Sequence, residues 1–475
     1  MKRRKFIEVS AKSGVALGAM PTIFPNSGWK GANDRVNVAV IGIRGMGQSH
    51  IQGYQALENV EVTALCDVDE NLFAERVKKH FTDKNLRAPK LYNDMRKLFE
   101  DKSIDAVSIV TPNHWHALAG IWAIQAGKHA SIEKPSCHTI HEGKMLVEAA
   151  KKYGKIVQDG AEQRSNPSAQ SAVKYMRDGK LGEVYLAKGI CYKWRDSIGK
   201  YPDGYMTDDE KYASTVDSNS WIGPLTKDYM SRVNYDMWQG PAPAKPFNRN
   251  RFHYNWHWNW DYGNGDMGNQ GVHEMDVARW GLGVKIPSKV STIGGHVMFD
   301  DDQQTPNTMM ALFEFPNPAG GGDKKKILQF EVRHWMSYPE GNLGSGENLA
   351  NTYMTSAANT VGNIFFGSKG YMLKDVSGWQ TFMGKERKPG ESGKGEGNHY
   401  QNFIDAIRAN NPGILTAPIE EGFYSCSLIH LANISYRLGR TLNIDTEKFM
   451  VINDNEANLM FTKNYRNPYL FPTVV

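Results

Sequence analysis

His273 is the side chain best suited to moving a proton near neutral pH. It stands in Gly271-Val272-His273-Glu274-Met275-Asp276, where the apolar positions take helical spacing from Val272 and put the histidine in the first turn. The helix dipole disfavours the imidazolium there and leaves a neutral base. A second chemistry lies in Gly42-Ile43-Arg44-Gly45-Met46-Gly47, a glycine-rich turn between the apolar run 36–41 and a helical stretch. Free N–H groups at such a helix start suit a pyrophosphate. Asp67 closes the next apolar run 20 residues after Gly47, where an acid binds ribose hydroxyls and repels a 2′-phosphate. The pattern predicts NAD rather than NADP. The turn departs from G-x-G-x-x-G, because Arg44 holds a glycine's place and either helps a phosphate or crowds it.

Arg164, Lys193 and Arg195 are further polar candidates for a substrate face, and each could equally be a solvated charge. The stretch from Pro202 to Tyr262 is rich in aromatics, among them Trp256 and Trp258. These rings suit either stacking on a sugar or packing as an aromatic loop. His253 and His257 are four apart, a metal-binding spacing on a helix. The Asn and Trp residues between them argue against a helix, so no metal is expected. Four cysteines lie far apart without a CxxC pair, which indicates neither a zinc knuckle nor a disulfide scaffold.

Positioning these groups takes alternating elements. The run 104–110 leads into Thr111-Pro112-Asn113-His114-Trp115-His116 and a helical stretch that Gly127 should end. The run 128–132 leads into Glu133-Lys134-Pro135. Strands alternating with helices predict an α/β, doubly wound parallel sheet, whose ligands sit beyond the carboxyl ends of the strands. Thr111, Pro112, Asn113, His116, Glu133 and Lys134 fall there and join the glycine loop as cofactor contacts. Strand patterns dominate from Leu181, and 320–326 and 388–397 read as surface loops rich in Gly and Lys. Segments 398–407 and 421–438 read as amphipathic helices that pack back on the first domain. The 475 residues divide into a leader (1–32), a dinucleotide domain (33–160), an α+β domain (161–445) and a C-terminal tail (446–475) that packs on the body.

The combination of V-I-G-I-R-G-M-G, C-D-V-D, T-P-N-H-W-H, I-E-K-P and the histidine motif resembles the glucose–fructose oxidoreductase/inositol dehydrogenase (Gfo/Idh/MocA) family. The resemblance covers nearly everything after the leader. It implies a Rossmann domain followed by an α+β domain with a large open-faced, mostly antiparallel sheet. That sheet usually buries itself against another subunit, so a homodimer or homotetramer is expected. It also implies that Lys134 contacts both substrate and nicotinamide, and that His273 is the acid/base. The family's dehydrogenases carry aspartate four residues before this histidine, where this chain has Asn269; an amide can only orient substrate or histidine. The implied reaction is NAD-dependent oxidation or reduction of a secondary hydroxyl on a sugar, glycoside or polyol. One branch of the family instead uses transient oxidation, elimination, addition and reduction as a glycosidase with no net redox. Export would favour such a captive cofactor, whereas Glu133-Lys134-Pro135 fits the dehydrogenase branch. A non-catalytic sugar sensor is a third reading.

The first 32 residues hold six basic side chains against Glu8 alone, which is the whole of the formal charge of +5. The neutral remainder offers no electrostatic footprint for nucleic acid. Arg3-Arg4-Lys5-Phe6-Ile7 and the short apolar stretch from Ser13 to Phe24 look like a twin-arginine export signal, too short to span a bilayer. Periplasmic location is therefore expected. No A-x-A site follows, so cleavage and an uncleaved anchor both stay open.

Overall fold

The computed structural model describes residues 35–210, 224–317, 324–336, 340 and 359–475. The stretch 1–32, expected to be an export leader, lies outside the described residues. Residues 36–475 form one compact unit, built on two sheets. The first contains β1 (Val36–Ile41), β2 (Val60–Cys66), β3 (Lys90–Tyr92), β4 (Ala106–Ile109), β5 (His129–Ile132) and β6 (Val157–Asp159). They run in the order β3-β2-β1-β4-β5-β6, and every pairing is parallel. β4 is buried along its whole length and β1 at all but one position, as apolar runs covered by helices on both faces must be. The chain winds outward from β1 to β3 and then returns to β4, so β1 and β4 flank the switch point where such sheets bind ligands. β3 and β6 are three-residue strands too short to give a sequence signal.

The second sheet holds β7 (Val184–Lys193), β8 (Lys289–Gly295), β9 (Thr308–Pro316), β10 (Lys325–Arg333), β11 (Asn359–Gly367), β12 (Gly370–Lys374), β13 (Gly378–Met383), β14 (Lys388–Lys394), β15 (Leu442–Asp445) and β16 (Met450–Val451). Its order is β14-β13-β12-β11-β7-β10-β9-β8-β15-β16. Only β7 and β10 pair in parallel. One face carries the helix Gly271–Leu282, which packs on β7. The opposite face leaves Ile293, Met310, Leu312 and Ile327 exposed.

Three expectations change. Segment 388–397 was expected as a loop, yet 388–394 is the edge strand β14. Edge strands tolerate Pro, Gly and Lys because one side of their ladder faces water. Likewise, the segment 320–326, expected as a loop, contains the start of β10 at Lys325; residues 318–323 lie outside the described part. The helix Ile419–Leu438 is not amphipathic, since it is wedged between the helix Ile140–Tyr153 and β8 and buries residues around its circumference. By contrast, His399–Arg408 buries one stripe, Phe403, Ile404 and Ala406. The C-terminal segment lies on the body, where Arg466 bonds the Gly240 carbonyl and Asp236, and Tyr469 meets Trp115 edge-on.

Candidate active site

A cleft of about 830 Å³ opens at the carboxyl ends of β1 and β4. Its floor is close backbone contact. Gly42 has φ +87°, and a Cβ there would stand 2.5 Å from the Val110 carbonyl oxygen at the end of β4. A Cβ on Gly47 would stand 2.0 Å from the Gly42 oxygen. Only glycine lets the turn close and the helix Gly45–Gln55 start against the strand. That helix has no side-chain cap, so its first N–H groups are left for a ligand. Several buried polar atoms lining the cleft have no hydrogen-bond partner: Nε and Nη2 of Arg44, Oγ1 of Thr111 and Nδ2 of Asn113. An unpartnered guanidinium beside a helix start fits an anionic, polyhydroxylated group such as a dinucleotide. Asp67 Oδ2 accepts the Ile43 N–H at 2.9 Å and Oδ1 accepts the Asp69 N–H at 3.0 Å. Burial, with Asp69 beside it, pushes the Asp67 carboxyl up to about 6.

The other end of the cleft holds the titratable groups. β5 delivers Glu133 and Lys134. Glu133 Oε1 lies 2.9 Å from His50 Nε2, and His50 Nδ1 lies 2.7 Å from Ser108 Oγ. Burial opposes ionisation of Glu133, but His50, Lys134 and His116 together outweigh it and hold the carboxyl down at about 2. Lys134 Nζ donates to the Asn269 backbone carbonyl at 2.6 Å. The His116 ring sits between the two loops, its nitrogens 2.7 and 2.6 Å from the Pro135 and Thr111 carbonyl oxygens, and as a neutral imidazole it donates to one of them. His273 is the third residue of its helix, as its spacing predicts. Burial, and next the Lys134 charge, push its imidazole down to about 3. The neutral imidazole follows mainly from desolvation. Its Nδ1 is 3.4 Å from Glu162 Oε2 without a directed hydrogen bond.

The glycine loop, Asp67, Thr111, Pro112, Asn113, His116, Glu133, Lys134, Asn269, His273 and Trp256 all border the cleft except Ile43, which contributes only its N–H to Asp67. The Asn269 side chain turns away, its Nδ2 donating to Asp266 Oδ1 at 3.1 Å. Four other candidates do not line the cleft. Arg164 was expected at the substrate face, but it is buried against Asp276 (2.8 Å) and Glu421 (3.0 Å). Arg195 is fixed by Asp266 at 2.7 and 2.9 Å. Lys193 donates to Gln270 Oε1 at 2.7 Å, behind the cleft wall. Trp258 is buried under the Arg195 guanidinium at 5.0 Å and packs edge-on against His334. Each guanidinium found its carboxylate inside the fold, where an unpaired charge would cost several kcal/mol.

Among the described residues no three His, Cys, Asp or Glu side chains gather as metal ligands. His253 Nε2 meets Asp69 Oδ2 at 2.9 Å, whereas His257 Nδ1 meets the Tyr254 carbonyl at 2.6 Å. Most of the aromatic stretch packs, with Trp238, Phe247, Phe252 and Tyr262 joining the core beside β1. Its inner side lines the cleft through Trp238, His253, Tyr254, Trp256 and His257. The Tyr229 hydroxyl donates to Asp69 at 2.6 Å, so this segment is strapped to the loop after β2. Sequence reasoning missed that strap and Glu162; the available signal for Glu162 was an acid three residues past the end of a strand.

Residues 36–161 match the oxidoreductase family's NAD-binding Rossmann fold, and residues 210–314 and 391–471 match its C-terminal alpha/beta domain. The chain belongs to the Gfo/Idh/MocA family. Its first domain is thus an NAD-binding one. Among curated relatives, a glycosyl hydrolase family 109 protein 1 of Shewanella sp. (strain MR-4) is 32% identical over 153 residues, 31% of this chain and 33% of the relative. A family 109 protein of Shewanella baltica (strain OS155) is 32% identical over 155 residues, 32% of this chain and 34% of the relative. The chain thus spans about a third of the length of these relatives. The fold is also that of the WlbA dehydrogenase from Chromobactrium violaceum, solved with NADH and UDP-GlcNAcA (TM-score 0.59, 16% identity, 90% of this chain and 99% of that one). Levoglucosan dehydrogenase with NADH and levoglucosan is similar too (TM-score 0.60, 17% identity, 86% and 99%). No helix among the described residues is long and apolar enough to cross a membrane.

Proposed function

We propose that the protein is an NAD-dependent oxidoreductase acting on a secondary hydroxyl of a sugar, glycoside or polyol. The observation that carries this reading is the meeting of Lys134 and His273 in the cleft that begins at the glycine loop. NAD, when bound, supplies the hydride acceptor; Arg44, Thr111, Asn113, Asp67 and the first turn of Gly45–Gln55 would hold it. His273, neutral at working pH, takes the hydroxyl proton. Lys134, anchored by the Asn269 carbonyl, holds the same oxygen as its charge develops. Mass spectrometry of products from a glycan panel incubated with protein and NAD tests the reading. A two-mass-unit loss on one sugar supports it, and an unchanged panel refutes it.

A glycosidase without net redox is the second reading. It is favoured by the strap of Tyr229 and His253 onto Asp69, which holds Trp238, His253, Tyr254, Trp256 and His257 in the wall of the dinucleotide cleft and would retain a captive cofactor. The family 109 relatives point the same way. Release of aglycone without accumulating NADH, with NAD retained through gel filtration, separates it from the dehydrogenase. Export in folded form is part of the proposal: changing Arg3 and Arg4 to Lys should leave the protein cytoplasmic. We also propose a homodimer or homotetramer that covers Ile293, Met310, Leu312 and Ile327 on the open sheet, testable by light scattering.

A further inference from the structure

The family's usual aspartate is absent, because position 269 is Asn and its amide is engaged by Asp266. A carboxylate nevertheless approaches His273 from another element. Glu162 opens the short 3-10 helix Glu162–Ser165 after β6, and its Oε2 lies 3.4 Å from His273 Nδ1. Two residues on, Arg164 grips Asp276 with Nε 3.0 and 2.8 Å from its two oxygens, and both side chains are almost wholly buried. Asp276 is three residues past His273 on the same helix. The buried ion pair therefore fixes the register between the two elements, and that register sets Glu162 opposite the histidine.

We infer that Glu162 is the positioning carboxylate of His273, taking the place of the missing aspartate. It accepts the Nδ1–H and so leaves the Nε2 lone pair for the substrate proton. Nδ1 has no other partner, and no described residue hydrogen-bonds Nε2. The other charges around the ring are Lys134, Glu133, Lys193 and Asp276. Lys134 and Lys193 cannot accept a proton from nitrogen, Glu133 is engaged by His50, and Asp276 by Arg164. Among the described residues Glu162 is the one neighbour able to fix the tautomer. A separation of 3.4 Å is long for a hydrogen bond, but such contacts commonly tighten when substrate fills the site. Glu162 is half exposed, so it can rotate to close the gap and can be replaced without leaving a buried charge behind.

This inference rests on His273 acting as base, and the test separates the two. The NAD-loaded full chain, labelled with ¹⁵N-histidine, is examined by NMR, with the His273 signals assigned by their loss in His273→Ala. Wild type should show a protonated Nδ1 and a bare Nε2. Glu162→Gln, whose amide can donate to Nδ1, should reverse or mix the tautomers and lower kcat at least a hundredfold, with KM and NAD affinity within about threefold. A wrong tautomer costs about 10⁴-fold in the comparable serine-protease case. Glu162→Asp should keep the wild-type tautomer and recover kcat to within about tenfold. An unchanged tautomer in Glu162→Gln overturns the inference whatever the activity does. A switched tautomer with full turnover upholds the pairing and instead overturns His273 as the base.

Discussion

Replacing Lys134 with Met removes one charge from the cleft while keeping the aliphatic stem. The ammonium has a fixed seat, 2.6 Å from the Asn269 carbonyl, so it is already oriented when an alkoxide develops. Loss of one preorganised donor at such an oxygen costs about 10²–10³ in kcat, or roughly 3–4 kcal/mol. Lys134 has a second effect. After burial it is the largest influence holding the His273 imidazole down at about 3. Without that charge, the acid limb of kcat/KM should move up by roughly one pH unit, because His273 protonates more readily. The assay is NADH formation by stopped flow from about pH 3 to 9, which spans the His273 limb, on whichever sugar the panel identifies. NAD affinity, read from quenching of Trp238 and Trp256 in the cleft wall, should stay within about threefold. A variant keeping more than a tenth of wild-type kcat, or an acid limb that moves down, would refute the shared-oxygen arrangement.

The remaining predictions are simpler. NAD should bind at least about tenfold better than NADP, or roughly 1.4 kcal/mol, and the gap should widen above pH 6 as the Asp67 carboxyl ionises; equal affinity at pH 8 in fluorescence titrations refutes the role of Asp67. Asp276→Asn takes the carboxylate from buried Arg164 and Arg279 and should cost about 3–5 kcal/mol in urea unfolding; a loss under about 1 kcal/mol contradicts the clamp. Burial pushes His114, His257, His273 and His430 down to about 3, His253 and His399 to about 4, and His138 well below its ordinary range. Between pH 6.5 and about 4 the unfolded chain binds more protons at these sites, so their contribution to stability falls as pH falls. Burial raises Asp67, Asp159 and Glu274, which opposes this trend, but they are fewer. The net loss should be at least about 1.4 kcal/mol per pH unit, and a melting temperature that is flat from pH 6.5 to 5 contradicts it.

Legibility followed the range of the interaction. The glycine turn, Asp67 and the His273 helix start were readable because strand, turn and helix signals are local and periodic. The two parallel-sheet motifs followed from the rule that ligands gather beyond strand ends. Edge strand β14 hid behind turn-like residues, and the helix Ile419–Leu438 lost its stripe because both its faces are covered.

The sequence by itself determined a dinucleotide domain, the acid that closes its second strand, and the titratable residue types near its strand ends. Tertiary structure alone decided which charges reach the cleft. Arg164 and Asp276 are 112 residues apart and cancel in the interior, whereas Lys134 finds its anchor on the Asn269 carbonyl 135 residues away. Glu162 reaches His273 from a different element. A buried charge must be compensated by whichever partner the fold brings near, and that proximity is not encoded in the local pattern around either residue.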